Sequence, residues 1–196
     1  MRKINWGIIG PGSIANAFSH SIKATTNSQL VSVYGRNAAK TDTFASKFDI
    51  DGCHQLNDFI SSKEIDAVYI ATPHSEHFIY ALEAIKNGKH VLCEKPLTMN
   101  AYESMILLDL ANSKNIFLME AFMYRTHPQT KNILDNLGYL SDLKEKVSIE
   151  ASFGFNANVS ETHRLRNPIL GGGAILDVGC YPLTMAKLIA GHLQGL

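Results

Sequence analysis

Short apolar runs alternate with stretches of helical period through the first two-thirds of the chain. "INWGIIG" is followed by "SIANAFSHSIKA", "LVSVYG" by "NAAKTDTFASKF", and "DAVYIAT" by "SEHFIYALEAIKNG". "KHVLCE" is then followed by "NAYESMILLDLANSKN" and "IFLMEAF". Continuous apolar strands separated by amphipathic helices predict a parallel sheet covered on both faces, an α/β doubly wound Rossmann domain over residues 1–120. The rhythm changes after "MEAFMYRTHPQ". A short helix "PQTKNILDNLG", a mixed strand "EKVSIEASFGFN" and a helix "GGGAILDVGCYPLTMAKLIAGH" predict that residues 121–196 open an α+β domain whose remaining strands are absent.

Composition narrows the partners. Lys+Arg and Asp+Glu number 18 each, so the formal net charge is zero and no basic surplus draws nucleic acid or an anionic membrane. Gly10, Pro11 and Gly12 interrupt the N-terminal apolar run, and no stretch reads as long enough for a membrane span, which predicts a cytoplasmic protein. The three cysteines, Cys53, Cys93 and Cys180, are far apart and form no CxxC pair, so they read as reduced, buried small hydrophobes. His74, His127 and His163 lack the spacing of a metal site, and no metal is expected.

"WGIIGPGSIANA" sets Gly10, Gly12 and Ala15 in the pattern GxGxxA between the first strand and the first helix. Gly10 permits the turn and Gly12 lets a pyrophosphate approach the backbone. Ala15 lets helix and strand pack closely, and the amides of Gly12, Ser13 and Ile14 face the anion at the helix start. The bland alternative is a tight strand-to-helix turn. An NAD site normally ends its second strand with an acidic residue, whereas "VSVYGRNAAK" offers Gly35, Arg36 and Asn37. Arg36 suits a 2′-phosphate, and no repelling carboxylate is visible, so NADP is expected over NAD; the alternative for Arg36 is a solvated surface side chain.

"HVLC" reads as the fifth strand, and "EKP" follows it. Ligands of this fold sit outside the carboxyl ends of the strands, so Glu94 and Lys95 fall where a nicotinamide belongs, and the Lys95–Pro96 bond is a candidate for the cis form. A strand-end ion pair followed by a turn proline is the plainer alternative. His77, in "TPHSEH" after the fourth strand, either lines the same pocket or packs a helix face. Asp177 and Tyr181, four apart, share a helix face and can address one hydroxyl, or else are a capping acid and a core tyrosine. Gly171 to Gly173 let that helix begin close to other backbone.

"GIIGPGSIA", "ATPHSEH", "VLCEKPLTMN", "EAFMYRTHP" and "LGGGAILDVGCYP", in this order, resemble the Gfo/Idh/MocA family of glucose-fructose oxidoreductase, inositol dehydrogenase and dimeric dihydrodiol dehydrogenase type. The resemblance implies an NADP-dependent dehydrogenase acting on a secondary hydroxyl of a sugar or cyclic diol, residues 121–196 as a partial catalytic and substrate domain with a mostly antiparallel sheet, and a dimer formed through open sheets. It makes Lys95 the catalytic lysine, with Asp177 and Tyr181 as the DxGxY element, and Thr72 and Pro73 as a cofactor-contacting turn. Arg125 and Arg164 fall at substrate-side positions. A nearby ammonium favours the tyrosinate, so Lys95 and Tyr181 together handle the hydroxyl proton. The family continues through further strands where this sequence stops, so truncation is expected, and with it the alternative of a non-catalytic NADP-binding fragment or regulatory remnant.

Overall fold

The computed structural model describes residues 2–137 and 148–193, which fall into two compact units, Met1–Ala121 and Phe122–Leu196. In the first, six strands form one sheet: β1 (Ile4–Ile9), β2 (Ser28–Tyr34), β3 (Asp51–Cys53), β4 (Ala67–Ile70), β5 (His90–Glu94) and β6 (Leu118–Ala121). Their order is β3-β2-β1-β4-β5-β6 and each neighbouring pair is parallel. Parallel neighbours need crossovers, supplied by α1 (Ser13–Lys23), α2 (Ala38–Phe48), α3 (Leu56–Ser61), α4 (His77–Lys86) and α5 (Ala101–Ser113). The Rossmann expectation is met. The pattern of apolar runs had not contained β3 or α3, whose three and six residues are too short to show a period.

Successive strand residues point to opposite faces, so Ile8 and Ile9 enter different cores. Ile9 packs with Val68, Ile70, Tyr80, Ile85 and Leu107, whereas Ile8 packs with Val33, Phe44, Phe48 and Tyr69. Helix starts are fixed by side chains where the sequence provides them. Asn37 accepts from the Lys40 amide at 3.0 Å before α2, and Asn100 accepts from the Glu103 amide at 3.0 Å before α5. Glu103 returns a carboxylate to the Met99 amide at 3.2 Å, close to a capping box. Of the cysteines only Cys93 is buried, Cys53 and Cys180 being half-buried, which corrects the expectation for those two. Burial pushes the Cys93 thiol pKa well up.

The second unit holds α6 (Pro128–Asn136), started by Pro128 and by His127, whose ring accepts from the Gln129 amide at 3.1 Å. The strand expected over residues 145–156 lies outside the described residues at 145–147, and its described part, 148–156, is irregular. A strand persists through its neighbours, and no strand among the described residues pairs with this segment. Farther on, a 3-10 turn (Pro168–Leu170) leads through the glycines into a π-helical stretch, Ile175–Gly179, and then α7 (Cys180–Leu193). Pro182 has no amide to give a regular α-helix and its ring crowds the preceding turn, a conflict that a widened turn relieves. By length and composition Pro168–Leu193, 26 residues containing an 18-residue window of mean hydropathy 1.3, passes for a membrane span, contrary to the expectation from the sequence. It nevertheless carries Asp177, buried and 3.8 Å from Arg164, and a bend at the glycines.

Candidate functional site

The sheet order reverses between β1 and β4, which opens a crevice at the carboxyl ends of those strands. Ile9 pairs with Tyr34 on one side and with Ile70 on the other, so the turns that begin at Gly10, Gly35 and Ala71 lie side by side. Gly10 has φ +96°, and a Cβ there would stand 2.9 Å from the Ala71 carbonyl oxygen. Its amide donates to Tyr34 at 2.9 Å. Only glycine satisfies both the dihedral and the close approach. Helix α1 then starts at Gly12 with no side-chain cap and no acidic residue in its first turn, and Ser13 and Ile14 are exposed. Uncapped amides and the positive end of the helix dipole make an anion site there. Thr72, on the crevice wall, has a buried hydroxyl with no hydrogen-bond partner among the described residues. An open helix start, a cradle closed to any Cβ at Gly10 and an orphaned hydroxyl together fit a bound dinucleotide.

A cavity of about 270 Å³ continues from this loop, lined by Gly12, Arg36, Lys40, Pro73, Glu76 and Tyr80 among others. The acid missing from the end of β2 is supplied from elsewhere. Glu76, in the turn after β4, lies 2.5 Å from the Arg36 guanidinium. This corrects the expectation that no carboxylate stands near Arg36, because strands adjacent to β1 bring together residues 40 positions apart in the chain. Tyr80, behind the pair, is pushed up to about 12, first by burial and then by the Glu76 charge, and is therefore a neutral hydroxyl.

At the end of β5 the Lys95–Pro96 bond, a candidate for the cis form, is cis. Glu94 accepts from the Tyr69 hydroxyl at 2.5 Å, and the Glu120 carboxylate on β6 accepts from the Leu97 amide at 2.8 Å. Glu94 and Lys95 are half-buried. Fully buried His77 sets Nδ1 2.7 Å from the Pro96 carbonyl and Nε2 3.0 Å from that of Thr72. The ring thus lies between the Thr72 and Pro96 turns, the neutral form donating to one of the two carbonyls; the sequence had left open whether it lines the pocket or packs a helix face. Burial holds its pKa below the ordinary histidine value, although both carbonyls pull the other way. Glu120 and Glu76 were the residues missed. For Glu120 the signal was an acid at the end of an apolar strand; for Glu76 no local signal existed.

The remaining candidates belong to the second unit. A Cβ on Gly172 would sit 2.7 Å from both the backbone nitrogen and oxygen of Asn167, so the run entering α7 passes in direct contact with the preceding turn. Asp177 is buried, with Arg164 3.8 Å away, which ties one proposed substrate-side residue to one proposed catalytic residue. The Tyr181 ring is surrounded by Phe122, Tyr124 and Phe153, at centroid distances of 5.4, 6.0 and 5.1 Å. With Met123 and Met185 it lines an apolar cavity of about 440 Å³. Tyr124 donates to Thr184 at 2.8 Å, fixing one wall, and Arg125 is exposed on the adjoining 3-10 turn. Lys95 lies in the first unit and Asp177 and Tyr181 in the second.

A family model described as "Oxidoreductase family, NAD-binding Rossmann fold" (GFO_IDH_MocA) matches residues 4–122. The chain is 31% identical over 212 residues to the NADP(+) D-xylose 1-dehydrogenase of Hypocrea jecorina, covering 97% of this chain and 54% of the relative. It is 33% identical over 189 residues to the trans-1,2-dihydrobenzene-1,2-diol dehydrogenase of Xenopus tropicalis, covering 94% of this chain and 56% of the relative. Among solved structures, the 3-ketoreductase KijD10 of Actinomadura kijaniata in complex with NADP and TDP-benzene superposes with a TM-score of 0.82 at 27% identity, covering 96% of this chain and 58% of that one. The chain thus spans little more than half the length of the curated relatives it matches.

Proposed function

The chain belongs to the Gfo/Idh/MocA oxidoreductase family, and we propose that the intact protein transfers a hydride between NADP and a secondary hydroxyl of a sugar or cyclic diol. The observation that carries this reading is the crevice between β1 and β4, with its uncapped helix start and a Thr72 hydroxyl unpartnered among the described residues, opening beside the Glu94-Lys95-Pro96 turn. NADP as the cofactor is supported by the xylose dehydrogenase of Hypocrea jecorina and by the NADP in the Actinomadura ketoreductase. The sugar or diol is supported by the xylose and dihydrodiol dehydrogenases.

Bound NADP supplies the hydride acceptor. The amides of Ser13 and Ile14 would hold the pyrophosphate, Gly12, whose own amide donates to the Gly10 carbonyl at 2.9 Å, would let it approach the backbone, Thr72 and Pro73 would form a cofactor-contacting turn, and Arg36 would take the 2′-phosphate. Removing the hydroxyl proton falls to the chain. A phenol with an ordinary pKa of about 10 is a poor base at neutral pH, and an ammonium beside it favours the phenolate. The family resemblance assigns that work to Lys95 and Tyr181, and to Asp177, 3.8 Å from Arg164, the orienting of the substrate hydroxyl. Arg125 contributes to the substrate side. The charges within Pro168–Leu193 count against a membrane span, since an ionised side chain at a bilayer centre costs about 2.5–3.5 kcal/mol, and a cytoplasmic setting is part of the same proposal. A dimer, as the resemblance implies, belongs to the same proposal.

The test follows nicotinamide absorbance over a panel of sugars and diols. Tyr181→Phe should lower turnover about 10²- to 10⁴-fold while NADP binding stays as in wild type. Unchanged turnover removes Tyr181 from the role. The irregular backbone over 148–156 favours one second reading, a nucleotide-binding module without catalysis; NADP binding with no turnover on any substrate of the panel would establish it.

A further inference from the structure

The Glu76 carboxylate has no part in the hydride chemistry, yet it stands in the adenosine end of the cavity against the residue proposed to read the cofactor's 2′ position. We infer that Glu76 sets how sharply this site tells NADP from NAD: it holds Arg36 when no phosphate is present and competes with the 2′-phosphate for it. The inference rests on the NADP reading above.

The two partners differ in freedom. The Glu76 side chain is 16% exposed and that of Arg36 69%. Glu76 sits at the start of α4, its amide donating to Pro73 at 2.9 Å, so its backbone is fixed by the turn. The acid is a stationary element and the arginine the moving one. A 2′-phosphate carries about −1.5 to −2 charges, and where it reaches Arg36 it also meets the carboxylate already there. NADP must therefore draw Arg36 away from Glu76 and accept a like charge nearby.

NAD meets the opposite situation. Its ribose 2′-hydroxyl donates readily to a carboxylate, the contact that an acid at the end of the second strand normally provides. Glu76 offers that acceptor from the other side of β1. Both effects act in one direction, against NADP and for NAD, so Glu76 narrows the preference that Arg36 creates. Lys40 lines the same cavity and adds a positive charge, and neutral Tyr80 adds none. The exposure of Arg36 keeps each effect small, because water screens the pair.

Calorimetric titration of the whole chain with NADP, NAD, adenosine 2′,5′-bisphosphate and 5′-AMP tests this in wild type, Glu76→Gln and Arg36→Ala. Glu76→Gln should tighten NADP and the bisphosphate roughly three- to tenfold and leave NAD and 5′-AMP equal or weaker. Glu76→Ser provides the same readout should the glutamine variant fail to fold. If wild type and Arg36→Ala bind NADP equally, the assignment of the phosphate to Arg36 falls, and this inference with it. If Arg36→Ala does weaken NADP while Glu76→Gln leaves the NADP to NAD ratio at or below that of wild type, the inference alone is overturned.

Discussion

Ile8, Ile9, Val33, Val68, Ile70, Ile85 and Leu107 in the first unit are 0% exposed, while Phe153, Ile169, Ile175 and Leu183 in the second are 52, 80, 81 and 71% exposed. The first unit has two apolar cores, one on each face of the sheet, although Tyr102, Met105 and Phe117 stay exposed, and it leaves backbone amides for function. In the second, the proposed functional side chains ride on a helix whose start is fixed by glycine geometry and an ion pair, and Phe122 is the buried large apolar side chain among the described residues of that unit. An anion site made of backbone requires only that the fold be right. A site made of Asp177 and Tyr181 side chains also requires a wall to hold them, and among the described residues that wall is a ring of aromatics.

The largest way to break this contrast is to truncate the same residue type in both units. Leu107→Ala should lower unfolding free energy by about 2–5 kcal/mol, whereas exposed Leu183→Ala should stay within about 0.5 kcal/mol in urea titrations. Comparable losses would mean that α7 is packed as tightly as the Rossmann core. Gly172→Ala comes next. Its methyl would meet Asn167 backbone at 2.7 Å, and forcing the turn open should cost about 1–3 kcal/mol. The loss should appear as faster amide exchange around residues 164–180 with the sheet amides unchanged; equal acceleration in the sheet would show that the units unfold as one.

The smallest effect sharpens the comparison through pH. Burial lowers the folded pKa of His77, so the unfolded chain binds this proton more readily than the native one. Stability should therefore rise with pH between the depressed folded value and the unfolded value of about 6.5, and fall as acid is added across that window. Urea midpoints from pH 5 to pH 7 should show the slope in wild type and a flatter one in His77→Gln. Parallel slopes would detach the effect from His77.

The parallel sheet was legible because its apolar runs are continuous and its helices amphipathic, and Gly10, Gly12 and Ala15 stand where the loop requires them. Glu76 was illegible because its partner, Arg36, is 40 residues away in the sequence and adjacent only once β2 and β4 flank β1. The role of His77 was half legible. Its place after β4 was evident, but two carbonyl partners on separate turns leave no trace in a linear pattern. The strand expected at 145–156 shows the converse, a local pattern that reads as strand while its described backbone is irregular. Local alternation marks a capacity for pairing, and pairing itself is decided by what lies alongside.

The central position of β1 has a bearing on how the chain is made. Ile9 must pair with Tyr34 and with Ile70, so β1 obtains its second neighbour only after about sixty further residues have been synthesised. At roughly 5–20 residues per second that is an interval of about 3 to 12 seconds. During it a strand ending in two isoleucines is shielded on one edge at most. Nascent-chain chaperones would find their exposed apolar target here, in the segment that later becomes the most enclosed part of the sheet.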